Sequence, residues 1–375
     1  MNGSQLLADL LQGFTHFTAG NAVMILVGIV LILLAIGKEY EPMLLLPIGF
    51  GCLLANIPLT GMTDPDGLFS LLYKAGISTE LFPLLIFVGI GAMIDFSPLL
   101  SQPRLVLLGA AGQFGIFGTL ILATLLGFPL NEAASIGVIG AIDGPTSIFV
   151  ATKLAPHLLA PIAVAAYSYM SLIPIIQPPL MRLLTTPAER RIRMEYTPRP
   201  VSRRALVLFP IVITLILGIL VPAAAPLVST LMIGNLLRES HVVERLSKAA
   251  QNEIANIATL FLGLTIGSTM GAASFLNGAT LGILALGLVA FVLDTVAGLL
   301  FGKLMSVLSG RRINPLVGAC GISAFPMAAR LSARMANDED NQNFILMQAI
   351  GANTAGQLAS VVAGGVLLAL VSGFL

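Results

Sequence analysis

Apolar side chains in this chain run on rather than alternate. Several stretches carry no Asp, Glu, Lys or Arg, among them residues 10–37, 154–181, 205–237, 254–293 and 341–375. Each exceeds the ~18 apolar residues that mark a spanning helix. Runs such as Val23–Ile36 lack the period-two alternation of a membrane β-strand. A helix also satisfies its own backbone hydrogen bonds inside lipid, where no water can do so. The pattern predicts an all-α polytopic membrane protein with about 10–12 spans, counting broken ones.

Composition agrees with lipid as the solvent. Apolar residues make up 57% and charged residues 10%, against ~25% charged in an ordinary soluble domain. A net charge of +1 gives no case for nucleic acid as a partner. Cys52 and Cys320 lie in apolar segments, and His16, His157 and His241 are scattered, so neither a disulfide framework nor a metal-ligand spacing is implied. The start of the chain shows no basic region and no cleavage site, so no removable signal peptide is expected. Phosphate loops, Gly-x-Ser-x-Gly elbows and HExxH strings are absent, which argues against nucleotide hydrolysis in this chain.

Charge divides the chain in two. Arg182, Arg190, Arg191, Arg193, Arg199, Arg203 and Arg204 cluster against Glu189 and Glu195. A short basic loop between spans stays on the cytoplasmic side, and it equally serves as a linker between two halves. The reading is a first repeat at 1–185, a basic cytoplasmic linker at 186–204, and a second repeat at 205–375. Three blocks recur: Gly51-Cys52-Leu53-Leu54 with Gly234-Asn235-Leu236-Leu237, Phe87–Gly91 with Phe261–Thr265, and Gly140–Gly144 with Gly318–Ile322. Their offset stays near about 180 residues. Repeats of this kind build secondary transporters, often in inverted orientation. Residues 60–80 read as an external connection or an interfacial helix. The balanced charges from Arg238 to Glu253 read as a solvated helix.

Polar groups at membrane depth require a reason, because a charged side chain there costs ~2.5–3.5 kcal/mol on insertion scales. Asp143 lies in Gly140-Ala141-Ile142-Asp143-Gly144-Pro145-Thr146-Ser147. Pro145 lacks an N–H, and a helix opened here frees carbonyls beside a carboxylate and two hydroxyls. Those are hard oxygen ligands suited to an alkali cation; the alternative is a helix end with Asp143 as its cap. The second half has its own break, from Asn314-Pro315 through Gly318 and Gly321 to Ser323-Ala324-Phe325-Pro326, with Arg330 following. Asn353, in Gly351–Gln357, is either glue between helices or a neutral oxygen ligand. Tyr169 can donate a proton or anchor at the interface. Asp95 reads as a helix-end residue, and Asp294 as either a second functional acid or a buried structural one.

At these residues the chain resembles a known family. Gly-Ala-Ile-Asp-Gly-Pro-Thr-Ser-Ile-Phe at 140–149, Ala-Tyr-Ser-Tyr-Met at 166–170, Ile-Gln-Pro-Pro at 176–179, Ile-Asn-Pro-Leu-Val-Gly at 313–318, Ser-Ala-Phe-Pro-Met-Ala-Ala-Arg at 323–330 and Gly-Ala-Asn at 351–353 are similar to the beta subunit of sodium-translocating, biotin-dependent decarboxylases. These act on oxaloacetate, methylmalonyl-CoA, glutaconyl-CoA or malonate. The resemblance implies a subunit in a bacterial inner membrane that decarboxylates carboxybiotin, consumes a proton and exports Na+. It implies that biotin is carried by a partner and not attached to this chain. It further implies a carboxyltransferase alpha subunit, a biotin carrier protein or domain, small gamma or delta membrane subunits, a homotrimer of this subunit, inverted repeats and an elevator-type movement. The family's essential positions match here at Asp143, Tyr169, Asn314, Gly318, Ser323, Arg330 and Asn353. Asp143, Tyr169 and Arg330 are expected to act in the reaction. Asp143, Asn314, Gly318, Ser323, Asn353 and Tyr169 are expected to hold Na+. Asp294 has no counterpart in that set. The segment near residues 60–80 is shorter than in oxaloacetate members, which tilts the reading towards an acyl-CoA decarboxylase.

Two other readings compete. A sodium-coupled carboxylate symporter shares the broken helices and ion site but needs no biotin partner. A passive membrane anchor would gain from replacing Asp143 and Asn353 with Leu.

Overall fold

A computed structural model describes residues 11–194 and 201–373. Every regular element among them is helical. The first half contains α1 (Ala19–Gly37), α2 (Pro42–Ala55), α3 (Leu81–Met93), α4 (Pro103–Leu125), α5 (Leu130–Gly137), α6 (Gly144–Leu154), α7 (Leu159–Ser171) and α8 (Ile173–Leu184). The second contains α9 (Arg203–Leu220), α10 (Ala225–Ser240), α11 (Ala255–Ser268), α12 (Gly278–Leu308), α13 (Met327–Glu339) and α14 (Leu346–Ser372).

Five of these, α1, α4, α9, α12 and α14, are long and apolar enough to cross a membrane. The count rises to 7 if two bent pairs each make one span: Leu68–Ile77 with α3, bent by 58°, and Pro156–Met170 with α8, bent by 63°. By this measure the spans are fewer than the 10–12 read from the sequence. The cause is visible in the chain: uncharged runs are divided among short helices. Residues 154–181 turn at Leu172 between α7 and α8, and residues 254–293 are split between α11 and α12. Large apolar side chains such as Leu26, Leu33 and Ile36 on α1, and Leu215 and Ile219 on α9, are exposed. That is the surface of a protein solvated by lipid.

Local signals set the helix starts. Thr18 and Asn21 form a reciprocal capping box on α1, Ser202 caps α9 through the Ala205 amide, and Asn277 caps α12 through the Thr280 amide. The charged string after α10 departs from the single solvated helix expected of it. His241 takes a left-handed φ of 55° and ends α10, and a new helix begins at Glu244. Glu239 is buried beside Arg238, at 3.4 Å. Asp95 is a helix-end residue as expected: its Oδ1 accepts from the Ser97 amide at 2.8 Å. Within residues 60–80, Leu68–Ile77 is helical and leads into α3.

Two local features recur along the chain. A π-helical turn precedes α3 at Tyr73–Ile77 and α11 at Ala250–Ile254. A 3₁₀ segment interrupts the chain at Val138–Ala141 and at Pro315–Cys320. Packing is exchanged between halves: α2 lies on α11, and α10 lies on α3. The recurring sequence blocks meet at these crossings. Gly51 presses against the Leu264 backbone and Gly234 against the Val88 backbone, so closely that neither position has room for a Cβ. The long α12 runs past both 3₁₀ segments.

The linker is fastened to the second half. Arg190 pairs with Glu339 at 2.5 Å and Arg193 with Asp340 at 2.7 Å. Asn343 Nδ2 donates to the Arg190 carbonyl at 2.9 Å, and Gln348 Nε2 to the Met194 carbonyl at 3.1 Å. The hydrogen bond from Arg193 holds the Asp340 carboxyl below its ordinary range. Glu195 and Arg199, part of the basic run, lie outside the described residues.

Candidate functional site

The first break begins at Ile142, which adopts a left-handed φ of 51°. A β-branched residue there is strained, because its branched Cβ crowds the backbone. The strain turns the chain so that Asp143 caps α6. Its Oδ1 accepts from the Thr146 amide at 3.3 Å, and Pro145 sits in the first turn, where a missing N–H costs nothing. Asp143 is thus a helix cap, as one of the two sequence readings has it. Asp143 is 2% exposed, so this helix end is inside the protein.

Two further donors reach the carboxylate from α14. Gln357 Nε2 donates to Oδ2 at 2.8 Å and Ser360 Oγ donates to Oδ2 at 2.9 Å. The Thr146 hydroxyl is buried without a hydrogen-bond partner among the described residues. All these donors are neutral, and among the described residues no Lys or Arg pairs with Asp143. An ionised carboxylate buried without a counter-charge is expensive. The arrangement therefore asks for a small cation or a proton. The Tyr167 ring covers Gly144, leaving no space for a Cβ there.

The second break lies against the first. The Ser323 amide donates to the Ala141 carbonyl at 3.2 Å, one residue chain-wise from Ile142. Ser323 Oγ donates to the Gly356 carbonyl at 3.3 Å. Carbonyls freed by the broken helix are met by side-chain amides. Gln177 Nε2 reaches the Ala319 carbonyl at 3.1 Å, Gln113 Nε2 reaches Gly321 at 3.2 Å, and Asn353 Nδ2 reaches Ile322 at 2.6 Å. The remaining oxygens of these amides, Gln113 Oε1, Gln177 Oε1 and Asn353 Oδ1, are buried without a hydrogen-bond partner. They are oxygen acceptors at a point where the protein supplies no donor.

The sequence-derived candidates separate into two groups. Asp143, Ser323 and Asn353 come together, linked by α14 and by the Ser323–Ala141 hydrogen bond. Asn314 is not brought to Asp143 by any of its hydrogen bonds. Its Nδ2 donates to the carbonyls of Arg190 and Ile192, both at 2.9 Å, and its Oδ1 accepts from the Leu316 amide at 3.0 Å. An amide committed on both ends to the linker and to capping the 3₁₀ segment is held as a structural clasp. Gly318 presses on the backbone of Gly298, a close approach that fixes the break against α12. Tyr169 donates its hydroxyl to the Leu284 carbonyl on α12. Arg330, on α13, is exposed. Asp294 is fully buried on α12 and accepts from the Gly115 amide at 3.0 Å.

Gln113, Gln357 and Ser360 are absent from the sequence-derived set. For the last two a signal existed: Asn353, Gln357 and Ser360 follow the 4-then-3 spacing that places side chains on one helix face.

Fold and site together define a polytopic membrane protein whose buried acid sits where two broken helices meet, the design of an ion-translocating protein. Its relatives make the class specific. Residues 20–371 match the family model described as the Na+-transporting oxaloacetate decarboxylase beta subunit. The chain is 54% identical over 361 residues to the methylmalonyl-CoA decarboxylase subunit beta of Veillonella parvula, covering 96% of each chain. It is 53% identical over 362 residues to the glutaconyl-CoA decarboxylase subunit beta of Acidaminococcus fermentans, again covering 96% of each. Against the oxaloacetate decarboxylase beta chain of Klebsiella pneumoniae it is 46% identical over 420 residues, covering 96% of this chain and 97% of that one. The chain belongs to this family of Na+-transporting decarboxylase beta subunits. It is the membrane subunit of a sodium-pumping decarboxylase and works within a multisubunit complex.

Proposed function

We propose that this subunit releases CO2 from carboxybiotin delivered by a partner, takes up one proton per turnover and exports Na+. In that step the N–CO2 bond of carboxybiotin breaks, CO2 leaves, and a proton takes its place on the ureido nitrogen. The observation that carries the reading is Asp143: a carboxylate buried among neutral donors at the meeting of both breaks. Such a group holds either Na+ or a proton, and that exclusivity couples the two. Asn353 and Ser323 supply further oxygens beside it. Tyr169 is the proton donor, and Arg330 is a fixed positive charge that favours Na+ release. Asn314 and Gly318 support the site through backbone geometry.

The two halves act as inverted repeats that move against each other in an elevator-type cycle. The exchange of α2–α11 and α10–α3 packing supports this. The basic linker lies in the cytoplasm of a bacterial-type inner-membrane protein, where the biotin carrier arrives. A carboxyltransferase alpha subunit, small gamma or delta subunits and a trimer of this chain complete the complex. The acid consumed is an acyl-CoA. Identities of 54% and 53% to two acyl-CoA decarboxylase subunits, against 46% for the oxaloacetate one, support that choice.

The test is CO2 release from carboxylated biotin carrier by the complex in sealed vesicles, with Na+ flux followed in parallel. Wild type should show both, strictly coupled, and Asp143→Asn should show neither. Na+ flux driven by an external carboxylate, without CO2 release, would instead make the chain a symporter.

A further inference from the structure

Away from the ion site, a cavity of about 640 Å³ opens where three loops meet. Arg104 lines it from the start of α4, Arg193 from the linker, and Arg311 and Arg312 from the loop after α12; among the described residues no Asp or Glu lines it. Arg193 is paired with Asp340. Among the described residues, Arg104, Arg311 and Arg312 pair with no carboxylate, and all three are exposed. Three uncompensated guanidinium groups facing one concavity repel each other until an anion occupies it.

Position identifies the kind of anion. Arg104 stands at the first turn of the apolar span Pro103–Leu125, and Arg311 and Arg312 follow the apolar span ending at Leu308. The cavity is therefore at the depth of lipid headgroups rather than in bulk water. Planar guanidinium groups match phosphate oxygens in pairs, and basic pockets between spans take anionic headgroups. We propose that this cavity binds a phosphate-bearing anion, with the phosphodiester of an anionic phospholipid as its source.

The site also has a mechanical consequence. Its walls come from the first half (Ser101–Leu105), the linker (Arg193, Met194) and the second half (Arg311–Ile313). Ile313 precedes Asn314, whose amide clasps the linker to the second break. A bound phosphate ties the first half to that clasp.

The experiment places the full-length chain in nanodiscs of phosphatidylcholine with or without cardiolipin, and measures lipid retained after detergent exchange by native mass spectrometry. Wild type should retain cardiolipin over phosphatidylcholine. Each of Arg104→Gln, Arg311→Gln and Arg312→Gln should lower that preference roughly fivefold, while Arg245→Gln, outside the cavity, should not. Each variant's thermal unfolding reports whether it folds. Inorganic phosphate is the second arm. Displacement of retained cardiolipin by millimolar phosphate supports one shared site. Binding of phosphate with no retention of cardiolipin overturns the lipid as source. Equal retention of both lipids, or cardiolipin retention unchanged in the triple variant, overturns the site. None of these readouts depends on decarboxylation.

Discussion

Gln357 Nε2 donates to Asp143 Oδ2 at 2.8 Å across 214 residues of sequence. The bond joins the last helix of the chain to the break in its first half. Asn353, one turn earlier on the same face of α14, holds the break in the second half. One helix therefore registers both breaks at once, and a movement of either is felt at the other.

Gln357→Leu should follow from this directly. A hydrogen bond to a charged group contributes about 1.5–3 kcal/mol, and without it the ionised, Na+-holding form of Asp143 is disfavoured. The Na+ concentration for half-maximal decarboxylation should rise roughly 10-fold or more. Ser360→Ala should act in the same direction, by less, because Gln357 remains. A Na+ titration of CO2 release checks both, and an unchanged half-saturation would remove Gln357 from the site.

Much of this was legible in the sequence, for physical reasons that differ by residue. Uncharged runs report membrane helices because lipid tolerates little else. Asp143 stood out because acids at membrane depth are rare and because Pro145 breaks the helix beside it. Gln113 and Gln357 did not stand out. An uncharged amide within an apolar run is compatible with simple helix–helix contact, and only the fold shows which carbonyl or carboxylate it meets. Asn314 is ambiguous for a related reason: an Asn-Pro pair at a break offers an oxygen to an ion and to a helix cap equally, and only the fold shows that its Oδ1 accepts from the Leu316 amide. The turns at Leu172 and Thr269–Asn277 were not legible, since they carry no charge to mark them.

Asp294 should prove structural. Its Oδ1 accepts from the Gly115 amide at 3.0 Å, and Gly115 has no room for a side chain against Asp294 and Ala290. Asn preserves that acceptor and Leu does not. Asp294→Asn should keep wild-type Na+ dependence, whereas Asp294→Leu should lose about 1–3 kcal/mol of stability for the orphaned amide. Thermal unfolding with a parallel Na+ titration checks this. A shifted Na+ or pH profile in Asp294→Asn would make Asp294 a participant in transport.

The linker contacts should be acid-sensitive. Arg193 lowers the Asp340 carboxyl below its ordinary value, so the pair's contribution is complete above the unfolded value of ~3.9. It is lost as pH falls through the lower folded value. Protease cleavage near residues 191–194 should therefore rise below about pH 4 in wild type, and Arg193→Gln should show elevated cleavage already at neutral pH. Arg190→Ala should do more, because Arg190 is largely buried, meets Glu339 at 2.5 Å and also donates to the Thr185 carbonyl. A loss of about 1.5–3 kcal/mol is expected, the range for hydrogen bonds to a charged group.

Tyr169 separates packing from chemistry. Its ring lies where Gly287 has no Cβ, and its hydroxyl donates to the Leu284 carbonyl. Tyr169→Phe keeps the ring and removes one hydrogen bond to a neutral acceptor, worth about 1 kcal/mol. A structural phenol would therefore leave turnover nearly intact, with a small drop in unfolding temperature. A proton-donating phenol predicts a different pattern: CO2 release falls by orders of magnitude while Na+ still binds through Asp143. The variant should be assayed for CO2 release across pH 6–9 and for bound radioactive Na+ in the same preparation. We expect binding without turnover. Wild-type rates over the whole range would reduce Tyr169 to an anchor on α12 and leave Asp143 as the carrier of both Na+ and the proton.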